Sequence, residues 1–193
     1  MGYSRASFVK FTEKEDAEAL CEGLREAFDY FGGVPEQVLF DNAKTVVVER
    51  DAYGLGRHRW HDRLKELAEL CGFSPRLCRP YRAKTKGKVE RFHGYLKGSF
   101  LRPLAASMAA SGLLLDAAAA NVAVRRWLAE VANVQVHGTT GAVPAQRLVE
   151  ERAAMLRPSP LVAKPAALPR VVVPVESLQH PLVLYDELLE AMP

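Results

Sequence analysis

The chain has 193 residues, of which 49% are hydrophobic and 25% charged, and its formal net charge at pH 7 is +3. This size and balance predict one globular domain with a small appendage, and they argue against a second full domain, a fibrous architecture or a disordered chain. No apolar run approaches the roughly 18 residues that span a bilayer, and residues 1–5 lack the apolar segment of a signal peptide, so we expect a cytoplasmic protein without a membrane partner.

Two strands and a helix are predicted in the first 40 residues. Residues 7–11, Ser-Phe-Val-Lys-Phe, are typical of a short strand. Thr12 and Glu15 have the spacing of a capping box for the amphipathic helix that follows, and Gly32 is predicted to end it in a left-handed conformation. The apolar run at 38–40 predicts a buried strand.

Asp41 follows that run and is therefore expected at the carboxyl end of a strand. Ligands bind at this end of open α/β sheets, so a carboxylate there is a candidate site residue. Turn statistics alone favour a plainer role, in which Asp41 caps the following turn through the backbone.

Four elements are predicted between Asp41 and the next candidate residue. They are a strand at 45–48, a flexible loop at 51–56, a helix at 61–71 with Leu64, Leu67, Ala68 and Cys71 on one stripe before Gly72, and a strand at 76–78. A loop at 84–87 then leads into a helix on which Val89, Phe92, Leu96 and Phe100 are predicted to face inward.

Positive charge is concentrated in residues 76–102, which contain nine Lys or Arg and a single acid, Glu90. Glu90 is predicted to face away from the apolar stripe of its helix. A lone carboxylate among so many cations is either a solvated surface residue or the metal-binding acid of a site that handles phosphates.

Helices dominate the rest of the chain. Asp116 is predicted to open a long helix that ends near Asn133, with Val122, Leu128 and Val131 packed and Trp127 beside them. Pro144 is expected to begin another helix, through about Met155. The segment 158–174 contains five prolines and is typical of an extended linker, and residues 178–192 could form one short helix.

Asp41 and Glu90 can meet only if the strand before the basic segment lies beside the strand that ends at Asp41. If they meet, two carboxylates beside a basic groove are typical of a Mg²⁺ site, because magnesium prefers a few carboxylates plus phosphate oxygens. The neighbouring cations are predicted to bind DNA phosphates in a salt-sensitive manner, with Tyr81 and His93 within reach of bases. The candidate DNA-binding residues are Arg79, Arg82, Lys84, Lys86, Lys88 and Arg91.

Six motifs, in order, resemble the IstA-like transposases of bacterial insertion sequences, which belong to the DDE, integrase catalytic core family. The motifs are Gly-Tyr-Ser-Arg-Ala-Ser at 2–7, Phe-Gly-Gly-Val-Pro at 31–35, Leu-Phe-Asp-Asn-Ala-Lys at 39–44, Gly-Phe at 72–73, Cys-Arg-Pro-Tyr-Arg-Ala-Lys-Thr-Lys-Gly-Lys-Val-Glu-Arg at 78–91, and Asn-x3-His-Gly-Thr-Thr at 133–140. Several motifs in order are far more specific than any one of them.

The resemblance implies an RNase H-like α/β core of the retroviral integrase type, whose Asp-Asp-Glu triad binds two Mg²⁺ or Mn²⁺ ions. Such enzymes cut transposon ends and join the freed 3′ hydroxyls to target DNA. Asp41 corresponds to the second Asp and Glu90 to the Glu, and the first Asp has no counterpart. The implied partners are DNA, a AAA+ helper ATPase and further copies of the chain.

This departure predicts the C-terminal portion of a transposase, inactive alone, without the N-terminal DNA-binding region. The expected organisation is a truncated catalytic core at 1–103, a helical extension at 104–156, and a Pro-rich linker and tail at 157–193. Two central strands of the sheet are expected to be missing, which would leave unpaired edges. The alternative function is that of a non-catalytic DNA-binding or regulatory remnant of a transposase.

Overall fold

The structure of the protein is a computed structural model that describes residues 1–78 and 83–157, except for the side chains of residues 83–86 and 88. Its elements, in order, are α1 (Ala17–Phe31), β1 (Gln37–Phe40), β2 (Val47–Glu49), β3 (Arg59–Trp60), α2 (Asp62–Cys71), β4 (Ser74–Leu77), α3 (Ala83–Leu96), a π-helical segment (Lys97–Leu101), α4 (Arg102–Ala110), α5 (Ala117–Trp127), a second π-helical segment (Leu128–Ala132) and α6 (Pro144–Arg152). The chain is mixed α/β, as predicted. No helix in the described ranges has the length and apolar character needed to cross a membrane. The linker and helix predicted at 158–174 and 178–192 lie outside those ranges.

Helix α1 has a different N-cap from the predicted one. Asp16 precedes the first helical residue, and its Oδ1 accepts a hydrogen bond from the Ala19 N–H at 2.8 Å. The capping box at Thr12 and Glu15 is therefore wrong, because a stronger capping residue lies one position beyond it. At the other end Gly32 has φ 73°, which confirms the predicted left-handed cap.

Residues 7–11 do not form the predicted strand. Two asparagine side chains take the place of a neighbouring strand. Asn133 accepts from the Ser7 N–H and donates to the Ser7 carbonyl, both at 2.9 Å. Asn121, on α5, makes the same pair of bonds to Phe11, both at 2.8 Å. These backbone groups are therefore satisfied by distant side chains instead of a β-ladder.

Strands β1 and β4 form a parallel pair, in register from Gln37 beside Ser74 to Phe40 beside Leu77. Strands β2 and β3 form a separate antiparallel hairpin. The strands predicted at 38–40, 45–48 and 76–78 are thus confirmed, with shifted ends. Strand β1 is buried on one face only, however: Phe40 is buried, with 8% of its surface exposed, whereas its neighbour Leu39 is 52% exposed. Successive side chains of a strand point to opposite faces, and the described residues cover only one of them.

The largest apolar cluster joins α1, α2 and the β1–β4 pair. Its buried members include Phe28, Phe40, Leu64, Leu67 and Phe73. The predicted stripe of α2 is confirmed in full, since Leu64, Leu67, Ala68 and Cys71 are all buried. Gly72 ends this helix with φ 80°, again as predicted.

A second apolar cluster joins α3, α5 and the two π-helical segments. Its buried members are Leu96, Phe100, Val124 and Leu128. Two predicted core residues are exposed instead: Val89 at 53% and Val122 at 75%. On α5 the buried face is set by Ala120, Val124 and Leu128, which places Val122 about 200° away around the helix. On α3 the packed part begins only at Phe92, one turn beyond Val89.

Residues 3–4 are fixed to α6, which begins at Pro144 as predicted and ends at Arg152, before the predicted Met155. The carboxylate of Glu151 accepts hydrogen bonds from the N–H groups of Tyr3 at 3.1 Å and Ser4 at 3.0 Å. Burial pushes the pKa of Glu151 upward, but hydrogen bonds from Ser4 and Tyr3 outweigh it and hold that pKa below its ordinary value.

Candidate active site

Asp41 directly follows β1 and is exposed to solvent. Its Oδ1 accepts a hydrogen bond from the Ala43 N–H at 3.3 Å, which is the local turn contact that turn statistics favour. This bond is long and uses one oxygen. Among the backbone groups and side chains that the structure describes, the carboxylate has no other hydrogen bond or ion pair, so the turn role and a ligand role are compatible.

Glu90 lies on α3 and is exposed, which confirms its predicted outward orientation. Among the described residues its carboxylate has no hydrogen-bond or ion-pair partner. The next residue, Arg91, is also exposed, and its Nε donates to the Gly87 carbonyl at 3.0 Å. Glu90 is therefore a solvated carboxylate beside a cation that is held against its own helix.

Five of the six predicted DNA-binding cations have side chains outside the described part of the structure. Lys84, Lys86 and Lys88 lie on α3, where their side chains are not described. Arg79, Tyr81 and Arg82 lie outside the described residues, so their roles stay predictions. His93 is exposed in the last turn of α3.

The parallel pairing of β1 and β4 satisfies the condition required for Asp41 and Glu90 to meet. Cys78 is the residue after β4, and its N–H donates to the Phe40 carbonyl at 2.8 Å. Cys78 therefore lies beside the end of β1, next to Asp41. Helix α3 begins at Ala83, five residues after Cys78, and five residues of chain span at most about 18 Å. The start of α3 therefore lies within about 18 Å of Cys78. In the described part of the chain, no group of three or more His, Cys, Asp or Glu side chains could hold a metal ion.

Arg50 is a contact residue at this edge that the sequence pattern missed. Its Nη1 donates to Asn42 Oδ1 at 2.8 Å and to the Cys78 carbonyl at 3.3 Å. It therefore ties the β2–β3 hairpin to the residue after Asp41 and to the residue after β4. A single arginine two residues after a valine run carries no local signal of such partners.

No protein-family model matches the chain. The chain is 43% identical over 161 residues to a putative transposase for insertion sequence element IS5376 from Geobacillus stearothermophilus, a match that covers 83% of this chain and 37% of that protein. The homologues of this chain are thus insertion-sequence transposases. The transposase for IS21 from Pseudomonas aeruginosa is 44% identical over 100 residues, which is 52% of this chain and 25% of that protein. An IS21-like transposase from Bacteroides fragilis is 30% identical over 150 residues, 77% of this chain and 27% of that protein.

These matches confirm the resemblance drawn from the sequence motifs. They also show that the chain matches only 25–37% of the length of these relatives.

Proposed function

We propose that this chain contributes Asp41, Glu90 and a basic DNA-binding segment to a metal-dependent transposase that cleaves and joins DNA strands. The observation that carries the proposal is the parallel β1–β4 pair, because Asp41 and the segment leading to Glu90 both leave the sheet at its carboxyl edge. Ligands bind at this edge in open α/β sheets. The relatives named as transposases supply the class of reaction.

The fold that belongs to this proposal is an RNase H-like core of the integrase type, of which these residues form a part. The parallel pair with α1 and α2 packed on it supports that assignment. The third carboxylate implied by the family resemblance would come from a longer form of the protein or from another chain. DNA, a AAA+ helper ATPase and further copies of the chain are the partners we propose.

Asp41 and Glu90 fit a magnesium site in which DNA phosphates supply some of the ligands to the ions. Both are exposed, and Asp41 has only one long internal contact. Magnesium keeps several waters and is commonly held by one or two carboxylates plus phosphate oxygens, so a complete protein cage is unnecessary. Two such ions would activate the attacking oxygen and stabilise the leaving oxygen of an in-line displacement. The cations around Glu90 would meanwhile neutralise the DNA backbone.

Replacing either carboxylate should weaken Mn²⁺ binding. We expect Asp41→Asn and Glu90→Gln each to lower the affinity by at least about tenfold, since even the indirect partners of metal ligands are worth about 10–100-fold. Isothermal titration of the full chain with Mn²⁺ measures this. Asp29→Asn and Glu15→Gln, at exposed carboxylates elsewhere, are the matched controls and should bind as the wild type does. Equal affinity in the wild type and both site variants would refute the metal assignment.

Removing cations from α3 should weaken DNA binding without regard to sequence. The triple variant Lys84→Gln, Lys86→Gln, Lys88→Gln should lose affinity equally for unrelated duplexes, and the slope of log K against log salt should fall by up to about 0.9 per lost phosphate contact. Fluorescence anisotropy over a salt series measures both quantities. Lys14→Gln, Lys65→Gln, Arg126→Gln removes the same charge from exposed positions on other segments and should have little effect. A loss confined to one sequence would contradict backbone recognition.

A further inference from the structure

The 50–59 loop, which comprises the connection of the β2–β3 hairpin and Arg59 at the start of β3, exposes apolar side chains to solvent. Leu55 is 97% exposed and Tyr53 is 62% exposed, two positions apart at the tip. In the described part of the protein Leu55 is almost uncovered, and most of the Tyr53 surface is also open to solvent. Scattered exposed apolar residues are common on protein surfaces, but two together at the end of a projecting hairpin suggest a binding role.

Internal hydrogen bonds connect residues across this loop, which was predicted to be flexible. Asp51 Oδ1 accepts from the Gly56 N–H at 2.7 Å, and the Asp51 N–H donates to His58 Nδ1 at 3.1 Å. The Arg57 N–H donates to the Gly54 carbonyl at 2.8 Å. Gly54 and Gly56 have φ values of 107° and 78°, which other residues adopt only with strain. A loop that is already ordered loses less conformational entropy when it binds a partner.

The charge on the loop favours a polyanion. Asp51 is the only acid in residues 50–59, and its Oδ1 accepts the hydrogen bond from Gly56. The same oxygen lies 3.3 Å from His58 Nδ1, and Asp51 Oδ2 lies 3.5 Å from Arg50 Nε. Arg57 and Arg59 are exposed, and neither makes an ion pair among the described residues, although Glu49 is the cross-strand neighbour of Arg59. Guanidinium groups match phosphates in geometry as well as in charge.

The hairpin is fixed beside the candidate active site. Arg50 bonds to Asn42 Oδ1 and to the Cys78 carbonyl, so the base of the hairpin is tied to the edge where β1 and β4 end. Under the proposed function, DNA lies at this edge. The hairpin tip thus combines arginines for the backbone with an exposed leucine and tyrosine, next to where that DNA would be bound.

We propose that the 50–59 loop binds DNA beside the candidate active site, with Arg57 and Arg59 on phosphates and Leu55 and Tyr53 wedged against unstacked bases. The inference rests on the proposed function in taking DNA as the ligand. Phosphates alone would account for the arginines but leave the apolar pair unused. Aliphatic side chains that contact DNA commonly act as wedges between base steps, and aromatic stacking is worth about 1–3 kcal/mol per base.

The test compares two DNA duplexes of one length, one fully paired and one with two central mismatches whose bases unstack readily. Fluorescence anisotropy of the full chain gives both affinities. The variant Tyr53→Ala, Leu55→Ala should lose about tenfold in affinity for the mismatched duplex and less than about twofold for the paired one. Arg57→Gln, Arg59→Gln should weaken both equally and reduce the salt slope by about 2. Leu114→Ala, at a leucine that is 94% exposed outside the hairpin, should change neither affinity.

The outcomes separate this inference from the proposed function. If the triple lysine variant of α3 loses DNA binding and the hairpin variants do not, the hairpin inference is overturned and the proposed function stands. If the hairpin variants lose binding and the lysine variant does not, the hairpin inference stands and the basic segment loses its role. A wild type that binds both duplexes equally rules out the wedge, and a wild type that binds neither overturns both.

Discussion

Replacing Asn133 with Ala should lower the free energy of unfolding by about 3 kcal/mol, because a single buried amide satisfies three separate groups. Asn133 is 5% exposed. It bonds to the N–H and carbonyl of Ser7 and to the hydroxyl of Tyr30, all at 2.9 Å. Its removal leaves these partners with poor access to water, and each unsatisfied group costs roughly 1–3 kcal/mol, reduced where the site relaxes. Urea denaturation followed by far-UV circular dichroism measures the loss.

Asn121→Ala is the graded control for this prediction. Asn121 makes two backbone bonds to Phe11 and is half-buried, so its loss should cost about half as much. Equal effects of the two substitutions would mean that burial and the Tyr30 bond are unimportant. A loss below about 0.5 kcal/mol for Asn133→Ala would contradict the stabilising role of its hydrogen bonds, since ordinary surface substitutions change the free energy of unfolding by that much.

Elements with local signals could be predicted from the sequence, and those held by distant partners could not. The buried stripe of α2 and its end at Gly72 follow from helical spacing and from one glycine, and both are found. The segment 7–11 has the residue types of a strand, but what fixes it are Asn133 and Asn121, more than 100 residues away. The sequence predicts the helix that contains Val122 but not which face of that helix packs on the core, so Val122 is predicted as buried and is found exposed.

The candidate site divides in the same way. The place of Asp41 after an apolar run and the isolation of Glu90 among cations mark both as candidates, and both are exposed, Asp41 directly after β1 and Glu90 within α3. The β1–β4 pairing entered only as a condition, because strand order depends on contacts that a single sequence does not reveal. The role of Arg50 depends on the same kind of contact, since one of its partners is the Cys78 carbonyl, 28 residues away.

Leu64→Ala should lower the free energy of unfolding by about 3 kcal/mol through the cavity that it leaves in the cluster beneath Asp41. Leu64 is fully buried and belongs to the same cluster as Phe40, the last residue of β1. Substitutions of this kind in cores cost about 2–5 kcal/mol, because surrounding side chains collapse only partly into the space.

Leu70→Ala is the matched control, since the same substitution is made in the same helix at a side chain that is 41% exposed. The control should cost less than about 1 kcal/mol, and alanine favours the helix slightly more than leucine in both variants. Urea unfolding of the two variants should therefore differ by at least about 2 kcal/mol at equal slope, and similar losses would mean that the cluster is not tightly packed around Leu64.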